Sequence, residues 1–274
     1  MAFAEIADRA RLERFLRANA PAQLYALADL DDAFWPDTRW FASARGDGEL
    51  TAVCLLLEKL ALPIVHAIAA PRDAAALALV AELRPRLPER FFVNLPVGFA
   101  EVFAASHAIA LQAEYVRMWL PEPRALDAAP ELPGIEPLGP EHLSELAAFY
   151  RERAYAPDER GGRFFEPYML ALHPWFGLRE RGALSCVAGV HVCSRRYGVA
   201  ALGNVATVPE RRGRGLARAV CARLCRELAR RVALIGLNVA VANAPARACY
   251  AALGFQEALR YEEAILTRRP ESLC

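Results

Sequence analysis

From Gly203 the chain reads Gly-Asn-Val-Ala-Thr-Val-Pro-Glu-Arg-Arg-Gly-Arg-Gly-Leu-Ala-Arg, a strand-like run that stops at Pro209 and passes into a loop of glycines and arginines. Glycine has no Cβ, so the backbone at Gly213 and Gly215 can come close to a ligand. The helix expected from Leu216 opens with amides that lack intrahelical acceptors. Those amides and the helix dipole favour an anion such as a pyrophosphate. Eight arginines against one acid, Glu227, between Arg211 and Arg231 point the same way. The bland alternative is a glycine turn beside a solvated arginine face. Two familiar phosphate loops do not fit. The nucleotide-hydrolase loop needs a lysine, which is missing here, and the dinucleotide fingerprint needs a third glycine where Arg218 stands.

The elements that must hold this loop can be read around it. A short strand is expected at Gly134–Leu138 and an amphipathic helix at Pro140–Arg153, followed by a polar, aromatic loop from Ala154 to Pro174. Strands are expected at Trp175–Arg179, Ala183–Ser194 and Val199–Val208, because Pro209 cannot donate to a ladder. A helix from Leu216 to Arg231 leads to a buried strand, Ala233–Val239. A short helix, Ala244–Leu253, has Asn243 as cap and Gly254 as stop, and Tyr261–Thr267 is a last strand.

Residues 121–134 carry four prolines and a glycine, which disfavour helix and strand alike. The expected division is therefore a first half at 1–122, a linker at 123–133 and a second half at 134–274. The first half faintly repeats the second. The segment His66–Pro71 echoes Asn204–Pro209, and Glu114-Tyr115 echoes Arg260-Tyr261. It also opens with a helical stretch, Ile6–Leu16, and has a strand pair across Arg45–Gly48. Arg72-Asp73-Ala74-Ala75 replaces the glycine loop, so this half is expected not to hold a pyrophosphate. An unrelated α+β cap is the alternative.

Composition narrows the classes. A net charge of +1 over 274 residues argues against a dedicated nucleic-acid binder. With 55% hydrophobic and 24% charged residues the composition is that of a globular protein. The apolar stretch from Thr51 ends at Glu58, well short of the ~20 residues of a spanning helix. No secretory signal is visible, so a cytoplasmic protein without membrane partners is expected. Seven cysteines form no C-x-x-C pair, so no metal site is expected, and they read as small buried hydrophobes.

Two motifs together resemble the GNAT acetyltransferase superfamily. Its acyl-CoA loop, Arg/Gln-x-x-Gly-x-Gly/Ala, is matched by Arg212-Gly213-Arg214-Gly215-Leu216-Ala217. Its downstream motif is matched by Asn243, Tyr250 and Leu253-Gly254-Phe255. The resemblance covers about residues 134–268, and the two-part layout is similar to that of the glycine N-acyltransferases. It implies an α+β (mixed α/β) fold of two GNAT-like halves, each a twisted mixed sheet flanked by helices, the N-terminal one degenerate. It further implies an N-acetyltransferase with acetyl-CoA as co-substrate and a small-molecule or peptide amine as acceptor. A homodimer is compatible with the sequence, which does not specify oligomeric state.

Residue by residue, the resemblance implies that amides of Gly213 to Arg218 hold the pyrophosphate. Val205, Ala206 and Thr207 would pair with the pantetheine arm as an added strand does. Asn243 would touch the cofactor, and Tyr250 would protonate the departing thiolate. A core role for Tyr250 is the alternative. Many family members carry a glutamate base five residues before the motif Asn, where this chain has Asn238, and a carboxamide is no base. His191, Glu166, His173 or an ordered water are the remaining candidates, with His191 foremost. Tyr155, Asp158, Gly161-Gly162, Phe164-Phe165, Tyr168, His173 and Trp175 either shape an acceptor pocket or pack beneath a long loop. Two alternative activities stay open: transfer from another acyl-CoA, as in a glycine-type enzyme, and a non-catalytic acyl-CoA-binding regulator.

Overall fold

The structure, a computed structural model, describes residues 3–154, 165 and 167–270. Its elements form two series. The first runs β1 (Ala4–Glu5), α1 (Arg9–Arg17), α2 (Leu24–Asp29), β2 (Thr38–Ala44), β3 (Leu50–Leu57), β4 (Ile64–Ile68), α3 (Ala74–Leu83), β5 (Arg90–Pro96) and β6 (His107–Trp119). The second runs β7 (Ile135–Leu138), α4 (Leu143–Ala148), α5 (Pro167–Leu172), β8 (Trp175–Glu180), β9 (Ala183–Ser194), β10 (Val199–Thr207), α6 (Leu216–Ala229), β11 (Leu234–Ala240), α7 (Ala244–Ala251) and β12 (Gln256–Arg268). In each series four strands pair antiparallel in sequence order, and the fourth pairs parallel with the fifth across a helix. The same mixed sheet is thus built twice, as the echo between the halves predicts.

The chain divides in space into two compact units, and the division does not follow the proline-rich stretch alone. The first unit gathers the chain up to Arg117 with residues 240–242 and the segment from Glu257 onward. The second holds residues 118–239 and 243–256. The last strand in sequence, β12, therefore pairs with β5 in the first unit, Tyr261 opposite Pro96 through Thr267 opposite Arg90. There Tyr261 stacks on Tyr115 with ring centroids 5.8 Å apart, so the two tyrosines of the sequence echo meet. Sequence proximity alone would assign β12 to the second half; a strand pairs with whichever edge it can complete.

The prolines at 121–134 also do more than separate. Pro123–Ala128 forms a 3-10 helix with proline in its first turn, where a missing N–H costs nothing. Leu126 is buried, and Arg226 on α6 donates to its carbonyl at 2.7 Å, so this segment is anchored within the second unit. A further helix, α5, lies inside the stretch expected to be loop.

The two main helices bury matching faces. In α3, Ala76, Leu79, Val80 and Leu83 recur at helical spacing and pack on Cys54, Leu56, Val65, Ala67, Phe91, Val93 and Leu95. In α6, Leu216, Ala219, Val220, Leu224 and Leu228 are buried while its arginines face outward or sideways. The central strand β9 is buried along both faces for most of its length, which its largely apolar sequence, interrupted within the strand by Ser185 and His191, foretells. No helix among the described residues is long and apolar enough to cross a membrane.

Candidate functional site

The second unit carries a break in its sheet. The β10–β11 ladder runs from Val199 opposite Leu234 to Leu202 opposite Leu237 and goes no further, although both strands continue. On its other side, β10 pairs with β9 through an irregularity between Gly203 and Ala206. Asn204 sits there at φ +54°, a left-handed conformation that an L-residue adopts at a cost. The Tyr150 hydroxyl donates to the Asn204 carbonyl, and the Asn204 amide lies 3.8 Å from the Met169 sulfur. This bulge re-aims the backbone of Val205 and Ala206 just where the parallel ladder ends. Tyr150 and Asn204 were not singled out in the sequence; Asn204 in an otherwise apolar strand was the available signal.

Beyond Thr207 the chain turns through a 3-10 segment, Pro209–Arg211, into the loop. Gly213 and Gly215 have φ of +73° and +76°, and a Cβ at either would meet nothing within 4 Å. The loop is therefore open on the side a ligand would occupy. Gly215 is the N-cap of α6 and supplies no side-chain acceptor to the first helical amides. A helix start without a cap leaves those donors to an external anion. Leu216 is buried and fixes the helix on the sheet, while Ala217 and Arg218 are half-buried in the first turn.

The arginine excess divides on inspection. Arg211 pairs with Glu180, and Arg212 donates to the carbonyls of Thr207 and Ala154, both at 3.0 Å. Arg223 lies 4.9 Å over the Phe176 ring, Arg226 holds the 3-10 segment, and Arg230 and Arg231 pair with Glu227. Among the described residues, Arg214 and Arg218 have neither a hydrogen bond nor an ion pair of their own. The Arg218 Nε is buried and unsatisfied, which in a protein interior costs roughly 1–3 kcal/mol unless a ligand supplies an acceptor. So most of the positive charge that makes the segment conspicuous in sequence stabilises the unit itself, and two arginines in and beside the loop are left for an anion.

The acid and base candidates lie on neighbouring elements. Tyr250 is the buried residue of α7, 8% exposed, with its ring 6.0 Å from that of Phe255. Asn243 caps α7, its Oδ1 accepting from the Ala246 amide at 3.2 Å, which leaves its amide nitrogen to donate to a ligand. His191 is on β9 between Val190, which faces Leu202, and Val192, which faces Ala201, at a second irregularity of the β9–β10 ladder. A Cβ on Gly203 would stand 2.7 Å from the His191 Cβ, so glycine at 203 makes room for a side chain at 191. Burial, and then the neighbouring His173, hold the His191 pKa below its usual 6.5. The ring is thus neutral at pH 7, the form that can accept a proton. Burial also lowers the His173 pKa. Asn238 lies one residue past the last registered pair of the ladder.

The thiols are unsuited to nucleophilic work. Burial pushes Cys186 up to about 12 and raises Cys221, Cys225 and Cys249 as well, so all four are protonated at neutral pH. Among the residues expected near the acceptor, Phe165 stacks on Tyr150 and meets Trp175 edge-on, each at 5.4 Å, within the core beneath β9 and β10. Tyr168 is exposed. Tyr155, Asp158, Gly161, Gly162, Phe164 and Glu166 lie outside the described residues.

Residues 176–264 match the model of the FR47-like protein family. A search of curated proteins finds no match. Among solved structures, a Drosophila protein superposes with a TM-score of 0.70 at 17% identity, over 97% of this chain and 98% of that one. A GNAT-family acetyltransferase from Novosphingobium aromaticivorans gives 0.56 at 21% identity, over 91% and 99%. A tandem GNAT protein from the clavulanic acid biosynthesis pathway gives 0.56 at 17% identity, over 99% of both chains. The chain thus has the fold of the GNAT superfamily in tandem arrangement, and the FR47-like match covers mostly residues of the second unit.

Proposed function

We propose that this protein is an acyl-CoA-dependent N-acyltransferase that most readily uses acetyl-CoA and acylates a primary amine of a small molecule or peptide. The observation that carries the reading is the uncapped start of α6 behind Gly213 and Gly215, with the unsatisfied Arg218 Nε in its first turn. These residues fit a pyrophosphate: the cradle is open, the donors are unspent and the local charge is positive. Amides from Gly213 to Arg218 hold the diphosphate, and Asn243 supplies its amide nitrogen. Val205, Ala206 and Thr207 present the free strand edge to the pantetheine arm, and a backbone amide of the bulge polarises the acyl carbonyl.

His191, neutral at pH 7, takes the proton from the attacking amine. Tyr250 gives its proton to the departing thiolate. The bulge and ladder end hold the reactants at attack distance, which converts a bimolecular encounter into a local one. No cysteine takes part. We place the enzyme in the cytoplasm, without nucleic-acid or membrane partners. Transfer from a longer acyl-CoA uses the same residues, and the absence of a glutamate at Asn238 keeps a non-catalytic acyl-CoA-binding role as the second reading.

Calorimetry with acetyl-CoA tests the binding half of the proposal, and a thiol-release assay over amines and amino acids tests the chemistry. Binding with turnover on at least one amine is expected. Absence of binding overturns the function; binding without turnover on any amine favours the regulator.

A further inference from the structure

The first unit has a cleft of its own, far in sequence from the loop. Its volume is about 510 Å³, within the range of small-molecule sites. One face of α1 lines it through Arg11, Arg14 and Phe15, spaced to lie together on a helix. The opposite walls come from the β2–β3 turn and from the end of β4 with the loop that follows it.

The polar groups of this cleft are unevenly spent. Glu49 is paired with Arg45, and Asp73 caps α3, so its acids are engaged. Of the four arginines on α1, Arg9 pairs with Asp32, Arg17 with Glu13, and Arg11 donates to the Gly48 carbonyl. Among the described residues, Arg14 alone of the four has no partner. Among the described residues, two buried oxygens of residues that line the cleft also lack partners, Oε1 of Gln23, a residue 6% exposed, and Oγ1 of Thr51. Buried polar atoms are nearly always satisfied in proteins, so a pair of them lining one cleft marks where a ligand would complete the bonding. Phe15, Leu50 and Ile68 give the space between an apolar lining.

We propose that this cleft binds a small carboxylate that carries its own N–H or O–H donor and an apolar side chain, the chemistry shared by branched α-amino and α-hydroxy acids. The carboxylate meets Arg14 and the free donors of Arg11. The ligand's own donor serves Gln23 Oε1, and Thr51 completes the polar end. The site is independent of acyl-CoA and of the residues assigned to transfer.

The test is a titration of the full-length protein, without acyl-CoA, against three probes and inorganic phosphate. Leucine and 2-hydroxy-4-methylpentanoate carry the donor; 4-methylpentanoate does not. At least one of the first two should bind about tenfold more tightly than the third, because a buried acceptor left unpaired penalises the analogue lacking a donor. Arg14→Met should weaken every probe about tenfold, since it removes a charge-assisted bond from an exposed position where folding is unaffected. Gln23→Leu should erase the preference for a donor while leaving 4-methylpentanoate binding intact. No binding by any probe, equal binding of all three, phosphate binding as strong as leucine, or leucine binding unchanged in Arg14→Met would each overturn the proposal.

Discussion

Helices α3 and α6 occupy equivalent places in the two sheets, each following the fourth strand of its series, and their N-termini differ completely. At α3, Asp73 in an extended conformation accepts from the Ala76 amide at 3.0 Å, so the helix carries its own carboxylate where an anion would bind. At α6, Gly215 in the left-handed region offers no acceptor, and the preceding Gly213 is left-handed too. The strands before them differ in the same sense. The β3–β4 ladder is regular from Val53 to Leu57, whereas β9–β10 is interrupted at the bulge beside Asn204. One architecture therefore yields a closed helix start and an open one, and the choice rests on a few residues rather than on the sheet. A fold copied twice need not carry the same function twice.

The largest expected effect comes from making the open terminus resemble the closed one. Gly215→Asp places a carboxylate at the N-cap of α6 and should reduce acetyl-CoA affinity by about a hundredfold or more in calorimetry, with unchanged circular dichroism. Undiminished affinity would remove the helix start from the binding site and end the contrast drawn here.

A second substitution separates binding from chemistry at the open site. Tyr250→Phe should lower kcat by about a hundredfold, the lower end of acid–base effects, and leave acetyl-CoA affinity within a factor of about two. An unaltered kcat would reduce Tyr250 to a packing residue of α7.

The pH profile gives a smaller but more specific signal. Because burial, and then His173, hold the His191 pKa below its usual 6.5, the midpoint of its protonation lies at lower pH. The transfer rate should therefore fall on the acid side with a midpoint below pH 6.5. His191→Gln should abolish that acid limb. A fall centred above pH 6.5 would point to another base.

The smallest effect belongs to the closed terminus. Asp73→Ala removes the α3 cap and should cost about 1 kcal/mol in urea denaturation, without creating acyl-CoA affinity in a Gly215→Asp background. Recovery of binding there would mean that the first unit had been an acyl-CoA site masked by one carboxylate.

Much of this contrast can be read before folding is considered. Proline at 209, glycines at 213 and 215 and the apolar periodicity after Leu216 announce a strand, an open loop and a helix, because each depends on local backbone chemistry. Asn243 as a cap is legible for the same reason, whereas the cap at Asp73 emerges from the structure. Less local features were not. The arginines from Arg211 to Arg231 looked like a ligand-facing excess, and most of them prove to be held by Glu180, Glu227, Phe176 and main-chain carbonyls. Charge counts register side chains, but only packing assigns them partners. Similarly, α5 lies in a short, aromatic stretch whose helical signal is weak without the core that Met169 and Leu170 fill.

The sequence by itself determined the order of strands and helices in the second half and the place of the glycine loop, set by short-range stereochemistry and spacing, while Tyr250 as acid candidate came from the family resemblance. The tertiary structure alone decided that β12 completes the first unit, that Tyr150 holds the Asn204 bulge, and that Gly203 makes room for His191. It also decided that Gln23, Thr51 and Arg14 line one cleft. Those outcomes depend on which distant segments complete a sheet edge or fill a gap, and pairings of that kind carry no mark in the neighbouring residues.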